Sequence, residues 1–169
     1  MGILHEIEAA IPALRRHARG LMRDASAADD LVQDCLERAV ARRDSFRGEG
    51  SLRAWLYGIL VNCHRDRLRR RRDSGHLVGV DDLTTEPSAP AGQEAHLALA
   101  EVARALSRLP VDQRQALLLM AVDGLSVAEA AQALGLPQGT VMSRVARARE
   151  ALREMTGHDG GSARKGKGR

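Results

Sequence analysis

The stretch from Gly124 to Leu152, GLSVAEAAQALGLPQGTVMSRVARAREAL, constrains the fold more than any other part of the chain. Ser126 can accept a hydrogen bond from the backbone three residues on, and Glu129 at that position completes a capping box. Val127, Ala130, Ala131 and Leu134 then recur on one helical face. Gly135 supplies a helix stop, and Pro137 fits the first turn of a following helix. In that second helix Val141, Val145, Ala148 and Leu152 repeat at helical spacing, which leaves Gln138, Thr140, Ser143, Arg144 and Arg147 near an outward face. Small alanines allow the two helices to cross closely, and the outward face carries groups that read base edges and phosphates. The pattern is a helix-turn-helix. A plain helical hairpin with solvated arginines has the same periodicity, but two features favour a DNA reader. The arginines sit on the second helix, where a major-groove reader needs them. The chain is also basic, with 26 Lys and Arg against 22 Asp and Glu and a pI near 9.8, so a polyanionic partner is expected.

Aromatic residues make up only 2% of the 169 residues. The core is therefore expected to be Leu, Val, Ile and Ala, which suits packed helices, in one ordinary domain or two small ones. No apolar run approaches the roughly 20 residues of a membrane span, and no signal peptide precedes the first charged residues, so a soluble cytoplasmic protein is expected. Cys35 and Cys63 each fall on an apolar helix face and read as buried free thiols rather than a disulfide. The six histidines lack ligand spacing, so no metal or other cofactor is expected. Arginine supplies 24 of the 26 basic residues, a bias that reads as a GC-rich genome and carries no mechanism.

Ser74 to Gly92, SGHLVGVDDLTTEPSAPAG, is rich in Gly, Pro, Ser and Thr and reads as a linker. Before it, residues 1–73 hold 15 basic groups against 11 acidic; after it, residues 93–155 hold 7 of each. The tail from residue 156 is basic, has nothing to bury and is expected to be disordered. The expected architecture is all-α: two small helical domains, 1–73 and 93–155, on a flexible tether.

In the first domain Ile11, Leu14, Ala18 and Leu21 predict an opening helix from about Pro12, and Ser26 with Asp29 forms a second capping-box signature. Behind it runs an apolar stripe of Leu31, Val32, Cys35, Leu36, Ala39 and Val40. Asp30, Gln33, Asp34 and Glu37 form a polar stripe opposite, either a solvated face or a docking surface. A glycine-bearing loop, Asp44 to Ser51, leads into a long helix over Leu52 to about Arg72. That helix buries Leu52, Trp55, Leu56, Ile59, Leu60 and Cys63, shows Asn62, Arg65, Asp66 and Arg69, and ends in RLRRRR. Phe46, Trp55 and Tyr57, the only aromatics, all lie here. Trp55 reads as core and the arginine run alone could be a solvated helix end. Glycine loop, aromatics and basic helix together are what a single-strand binder requires. No nucleophile–base pair, carboxylate pair or phosphate-cradling loop appears, which argues against an enzyme.

The segments DDLVQDCLERAV (29–40), FRGEGSLRAWLYGILVNCHRDRLRRRR (46–72) and LSRLPVDQRQALLLMAVDGLSVAEAAQALGLPQGTVMSRVARAREAL (106–152), in this order, resemble the extracytoplasmic-function (ECF) sigma factors of the bacterial sigma-70 family. The resemblance implies a promoter-specificity subunit that takes core RNA polymerase to promoter DNA. Residues 1–73 resemble sigma region 2, whose polar helix face, here Asp30, Gln33 and Asp34, docks on polymerase. The loop Phe46, Arg47, Gly48, Glu49, Gly50 and Ser51, with Asn62, Arg65 and Arg69 beside it, would open the −10 element and hold a flipped base. Residues 93–155 resemble sigma region 4. Gln138, Thr140, Ser143, Arg144 and Arg147 would read the −35 element there. Met142 stands where family members often carry Lys. An anti-sigma partner is implied as well. A sigma-like decoy for such a partner and a stand-alone helix-turn-helix regulator are the alternatives, and the second leaves the acidic helix face unexplained.

Overall fold

The computed structural model describes residues 2–48, 50–75 and 93–157, with side chains from residue 99 onward in the latter stretch. Among these residues the protein is all-α, without a strand. The N-terminal half consists of α1 (Ile3–Leu21), α2 (Ala25–Ala41), a 3-10 turn (Arg43–Ser45) and α3 (Leu52–Asp73). The C-terminal half consists of α4 (Gln93–Arg108), α5 (Val111–Leu117), a π turn (Leu118–Val122), α6 (Val127–Leu134) and α7 (Gln138–Thr156).

Two helix starts differ from the sequence reading. α1 begins at Ile3 and carries Pro12 in its interior. Ile7 is already buried, and this anchors an earlier turn. Pro12 and Glu8, four residues before it, are both exposed, so the helical bond that proline cannot donate is lost on the solvent side. α2 is capped by Asp24, which accepts from the Ala27 N–H at 2.9 Å, rather than by Ser26. Asp24 holds an extended backbone and lies nearer the chain reversal after α1, so it intercepts the free amides first.

Each half has an apolar interior. Leu14, Ala18, Leu31, Val32, Cys35, Ala39, Leu56 and Leu60 fill the first; Leu119, Ala130, Leu134, Val141, Val145 and Ala148 fill the second. Trp55 is half-buried rather than core. It stacks at a tilt on Phe46, ring centroids 5.5 Å apart, while Tyr57 takes the buried place. Cys35 and Cys63 are free and buried, and burial pushes the Cys35 thiol up to about 12.

The two halves are not held apart. Their interiors join into one hydrophobic cluster, with α6 lying along α3 and the π turn against α1. Gly58 on α3 lets the helices approach: a Cβ there would stand 3.4 Å from the Ala133 carbonyl oxygen. Residues 76–92 and 158–169, which hold most of the expected linker and the basic tail, lie outside the described residues.

Candidate nucleic-acid interface

The helix-turn-helix forms as its local signals dictate. The Ser126 side chain accepts from the Glu129 N–H, and the Glu129 carboxylate accepts from the Ser126 N–H at 2.9 Å. The Ser126 N–H first, and then the Ser51 and Ser126 hydroxyls, donate to the Glu129 carboxylate and hold it below its ordinary range. Gly135 closes α6 at φ 65°, and the Leu136 N–H returns to the Ala131 carbonyl at 3.0 Å, a left-handed stop that a Cβ would strain. Pro137 occupies the cap position just ahead of α7. Val141, Val145 and Ala148 face inward and are buried.

On the outward side of α7, Gln138, Ser143 and Arg147 are exposed and Thr140 is half-buried. The Ser143 hydroxyl donates to the Gly139 carbonyl at 3.0 Å. Arg144 differs from its neighbours. It pairs with Asp112 of α5 at 3.4 Å and its side chain keeps only 23% of its exposure. Arg147 therefore carries the freer guanidinium on this face, with Met142 exposed on the adjoining flank.

The acidic stripe of α2 divides in the same way. Asp30 is exposed, and Gln33, also exposed, donates to Glu37 at 3.1 Å. Asp34, by its sequence position a free docking group, instead receives both Nε and Nη2 of Arg67, at 3.1 and 2.7 Å. Arg38 similarly bonds Asp66 at 2.9 Å, which holds that carboxyl below its usual range. The basic end of α3 is thus tied to α2 by half-exposed pairs, each worth at most about 1 kcal/mol.

At the loop, Ser51 caps α3 by accepting from the Ala54 N–H. Gly48 and Gly50 have φ of 74° and 87°, conformations that only glycine adopts without cost. Phe46 is half-buried against Trp55, Arg47 is exposed, and Glu49 lies outside the described residues. Ser51, Gly58, Asn62, Arg65 and Arg69 share one face of this loop end and helix, at spacings of seven, four, three and four. Asn62 and Arg69 are exposed, with Arg69 reaching Asp66 at 3.5 Å. Arg65 donates instead to the Leu134 carbonyl at the end of α6, at 3.4 and 3.5 Å.

Residues 7–61 match the family described as the Sigma2 domain of PhyR, and residues 99–152 match Sigma-70, region 4. EcfG of Rhodopseudomonas palustris (strain TIE-1), an ECF RNA polymerase sigma factor, is 44% identical over 155 residues, covering 92% of this chain and 85% of that one. The chain belongs to the ECF family of RNA polymerase sigma factors. Its fold matches the sigma factor RpoE solved in complex with the anti-sigma factor NepR from Bartonella quintana, with a TM-score of 0.78, 37% identity, and coverage of 92% of this chain and 96% of that one. It also matches the PhyRSL–NepR complex from Sphingomonas sp. Fr1, with a TM-score of 0.64, 27% identity, and coverage of 100% and 98%.

This sigma factor is a transcription-initiation protein that directs RNA polymerase to promoters. No helix among its described residues is long and apolar enough to cross a membrane. One group of residues escapes a reading of the sequence: the buried polar side chains. His17, His64, Arg114, Gln115 and Asp123 are the buried polar residues among those described, and the seam between the two halves gathers them. His17 Nδ1 meets Asp123 at 2.5 Å, His64 Nδ1 meets the Gln115 amide at 3.0 Å, and Arg114 sits beside His64. Burial first, and then the Arg114 charge, lowers His64 to about 4. A signal is present in the spacing. His17 lies three residues after Leu14 and four before Leu21, on the apolar stripe of α1.

Proposed function

We propose that the two halves divide the work of promoter recognition. Residues 1–73 dock on core RNA polymerase through Asp30 and Gln33, with Asp34 shaping that face from its bond to Arg67. The loop from Phe46 to Ser51, with Asn62, Arg65 and Arg69, opens the −10 element and holds an extruded base, whose unstacking costs a few kcal/mol and must be recovered by the pocket. Residues 93–155 read the −35 element: Arg147, Ser143 and Gln138 face bases or phosphates, and Thr140 and Arg144 flank them. The protein acts in the cytoplasm, holds no catalytic group of its own, and is restrained by an anti-sigma factor of the kind seen with RpoE of Bartonella quintana.

The observation that supports this reading most is the continuous similarity to a single ECF sigma factor across 92% of the chain, both halves included. Run-off transcription with core polymerase, with and without the protein, tests it. Promoter-specific transcripts only when the protein is present are expected, and their absence would refute it. A second reading has its own support, because the matched region 2 family is named for PhyR and a PhyR–NepR complex shares the fold. A decoy would bind an anti-sigma factor yet yield no run-off product.

A further inference from the structure

We propose that the N-terminal half carries a small-molecule site, a cavity between α1 and the first turns of α3 that takes an apolar α-amino acid as its zwitterion. The inference goes beyond the promoter-recognition reading above and does not depend on it. The cavity follows from the side chains that the two helices bring together. Where α1 passes the start of α3 it offers the methyl groups of Ala9, Ala10 and Ala13, opposite Leu52 and Leu56. Alanine is too short to close that gap, and a volume of about 380 Å³ stays open. Packed helices leave few voids wider than a water molecule, and this one lies at the small end of the range that ligand sites span. Leu14, Leu56 and Tyr57 form its floor, each 1% exposed.

Two residues of opposite charge complete the lining, Glu6 of α1 and Arg53 of α3. Both are exposed, and neither joins an ion pair among the described residues, with each other or elsewhere. Arg53 stands over the Tyr57 ring, its guanidinium 6.0 Å from the centroid, which keeps the charge beside the apolar floor. The Glu129 carboxylate feels the same charge but is already bonded to Ser51 and Ser126. A ligand that fits therefore needs an apolar body and both signs of charge at one end. An α-amino acid has this form. Its carboxylate takes a two-point contact from Arg53, its ammonium goes to Glu6, and an aromatic side chain fills the space above Tyr57. A plain carboxylate would set a like charge against Glu6, and a plain amine would set one against Arg53, so each is disfavoured. Leu52 and Arg53 open α3 directly after the glycine-bearing loop. An occupied cavity thus holds the first turn of α3 and steadies the loop before it.

Titration calorimetry of the full-length chain with L-phenylalanine tests this. One molecule per chain should bind with a Kd of about 1 mM or tighter, which a ligand of this size can reach. Phenylpropionate lacks the ammonium and phenethylamine lacks the carboxylate; each should bind about tenfold more weakly. Glu6→Gln and Arg53→Gln should each weaken L-phenylalanine by a similar factor, and Ala10→Leu, which fills the cavity, should abolish binding. Thermal melting by circular dichroism checks that each variant is folded. If Ala10→Leu fails to fold, the two exposed substitutions carry the test, and unchanged affinity in both would overturn the proposal. No binding to the wild type, equal binding by a folded Ala10→Leu, or equal affinity for phenylpropionate would also overturn it. So would binding of an apolar helical peptide without binding of the free amino acid, which would mark the cleft as a protein-docking groove. Run-off by the wild type without added amino acid is the separate readout of the sigma-factor reading.

Discussion

His64 makes the stability of the closed form depend on pH in a direction the structure fixes. Its ring is 2% exposed, bonded to Gln115 and faced by Arg114 from α5, His17 from α1, and Arg65 and Arg71 from its own helix. Burial first, and then the guanidinium charges of Arg114, Arg71 and Arg65, lower its pKa from 6.5 to about 4, so the closed form holds the neutral ring. When the chain unfolds or the seam opens, the ring regains its ordinary affinity for a proton. The stabilisation is therefore complete above pH 6.5 and is lost as pH falls through the window from 6.5 to 4. Each pH unit in that window costs about 1.4 kcal/mol, and the whole shift amounts to about 3 kcal/mol. Urea unfolding followed by far-ultraviolet circular dichroism at pH 7.5, 6.5, 5.5 and 4.5 measures this. The comparison variant is His64→Asn, which can still bond Gln115 but does not titrate. Between pH 6.5 and 4.5 the wild type should lose roughly 2–3 kcal/mol more than the variant. Parallel curves for the two proteins would refute the reasoning, because the neutral buried ring would then contribute nothing.

Other outcomes follow from residues whose surroundings differ. Asp30→Arg should reduce co-purification with core polymerase tenfold or more without changing the melting temperature, since Asp30 is exposed. Asp34→Arg should also lower stability, because it sets two guanidinium groups against each other where Arg67 now pairs. Arg147→Ala should remove ~1–3 kcal/mol of discrimination at one −35 base pair, read by competition run-off with mutated promoters. Arg144→Ala should give the smaller specificity loss, since Asp112 already engages that side chain. Ser126→Ala should cost about 1 kcal/mol of unfolding free energy by removing the α6 cap, measurable by chemical denaturation.

What can be read from sequence and what cannot divides along the range of the interactions. The helix-turn-helix is legible because its determinants, Ser126, Glu129, Gly135 and Pro137, act within a few residues of where they stand. The free, buried state of Cys35 and Cys63 is legible for the same reason, as each sits on a regular apolar stripe. The start of α2 is misplaced at Ser26 by a reading of the capping-box spacing, because the turn after α1 brings Asp24 to the free amides instead. Asp34 and Arg144 look free in sequence because their partners, Arg67 and Asp112, lie 33 and 32 positions away. The seam is invisible for a related reason. His17 and His64 fit apolar helix faces, and nothing local reveals that Asp123 and Gln115 meet them. The π turn has no sequence signature either; LLMAV reads simply as helix.

The scarcity of aromatic residues turns this sigma factor into an instrument for its own study. Its one tryptophan, Trp55, stands against Phe46 at the base of the glycine-bearing loop before α3, and its one tyrosine, Tyr57, lies edge-on to His17 in the seam, ring centroids 5.2 Å apart. Two residues apart in sequence, they look in different directions. Indole emission reports on the surroundings of this loop, where the proposed function places single-stranded DNA. Phenol absorbance, with burial and then the Asp123 carboxylate now resisting ionisation, reports on whether the halves have parted. The unlabelled protein therefore carries separate optical signals for the loop and for the seam between the halves, and the order of changes at the two places can be timed in one mixing experiment.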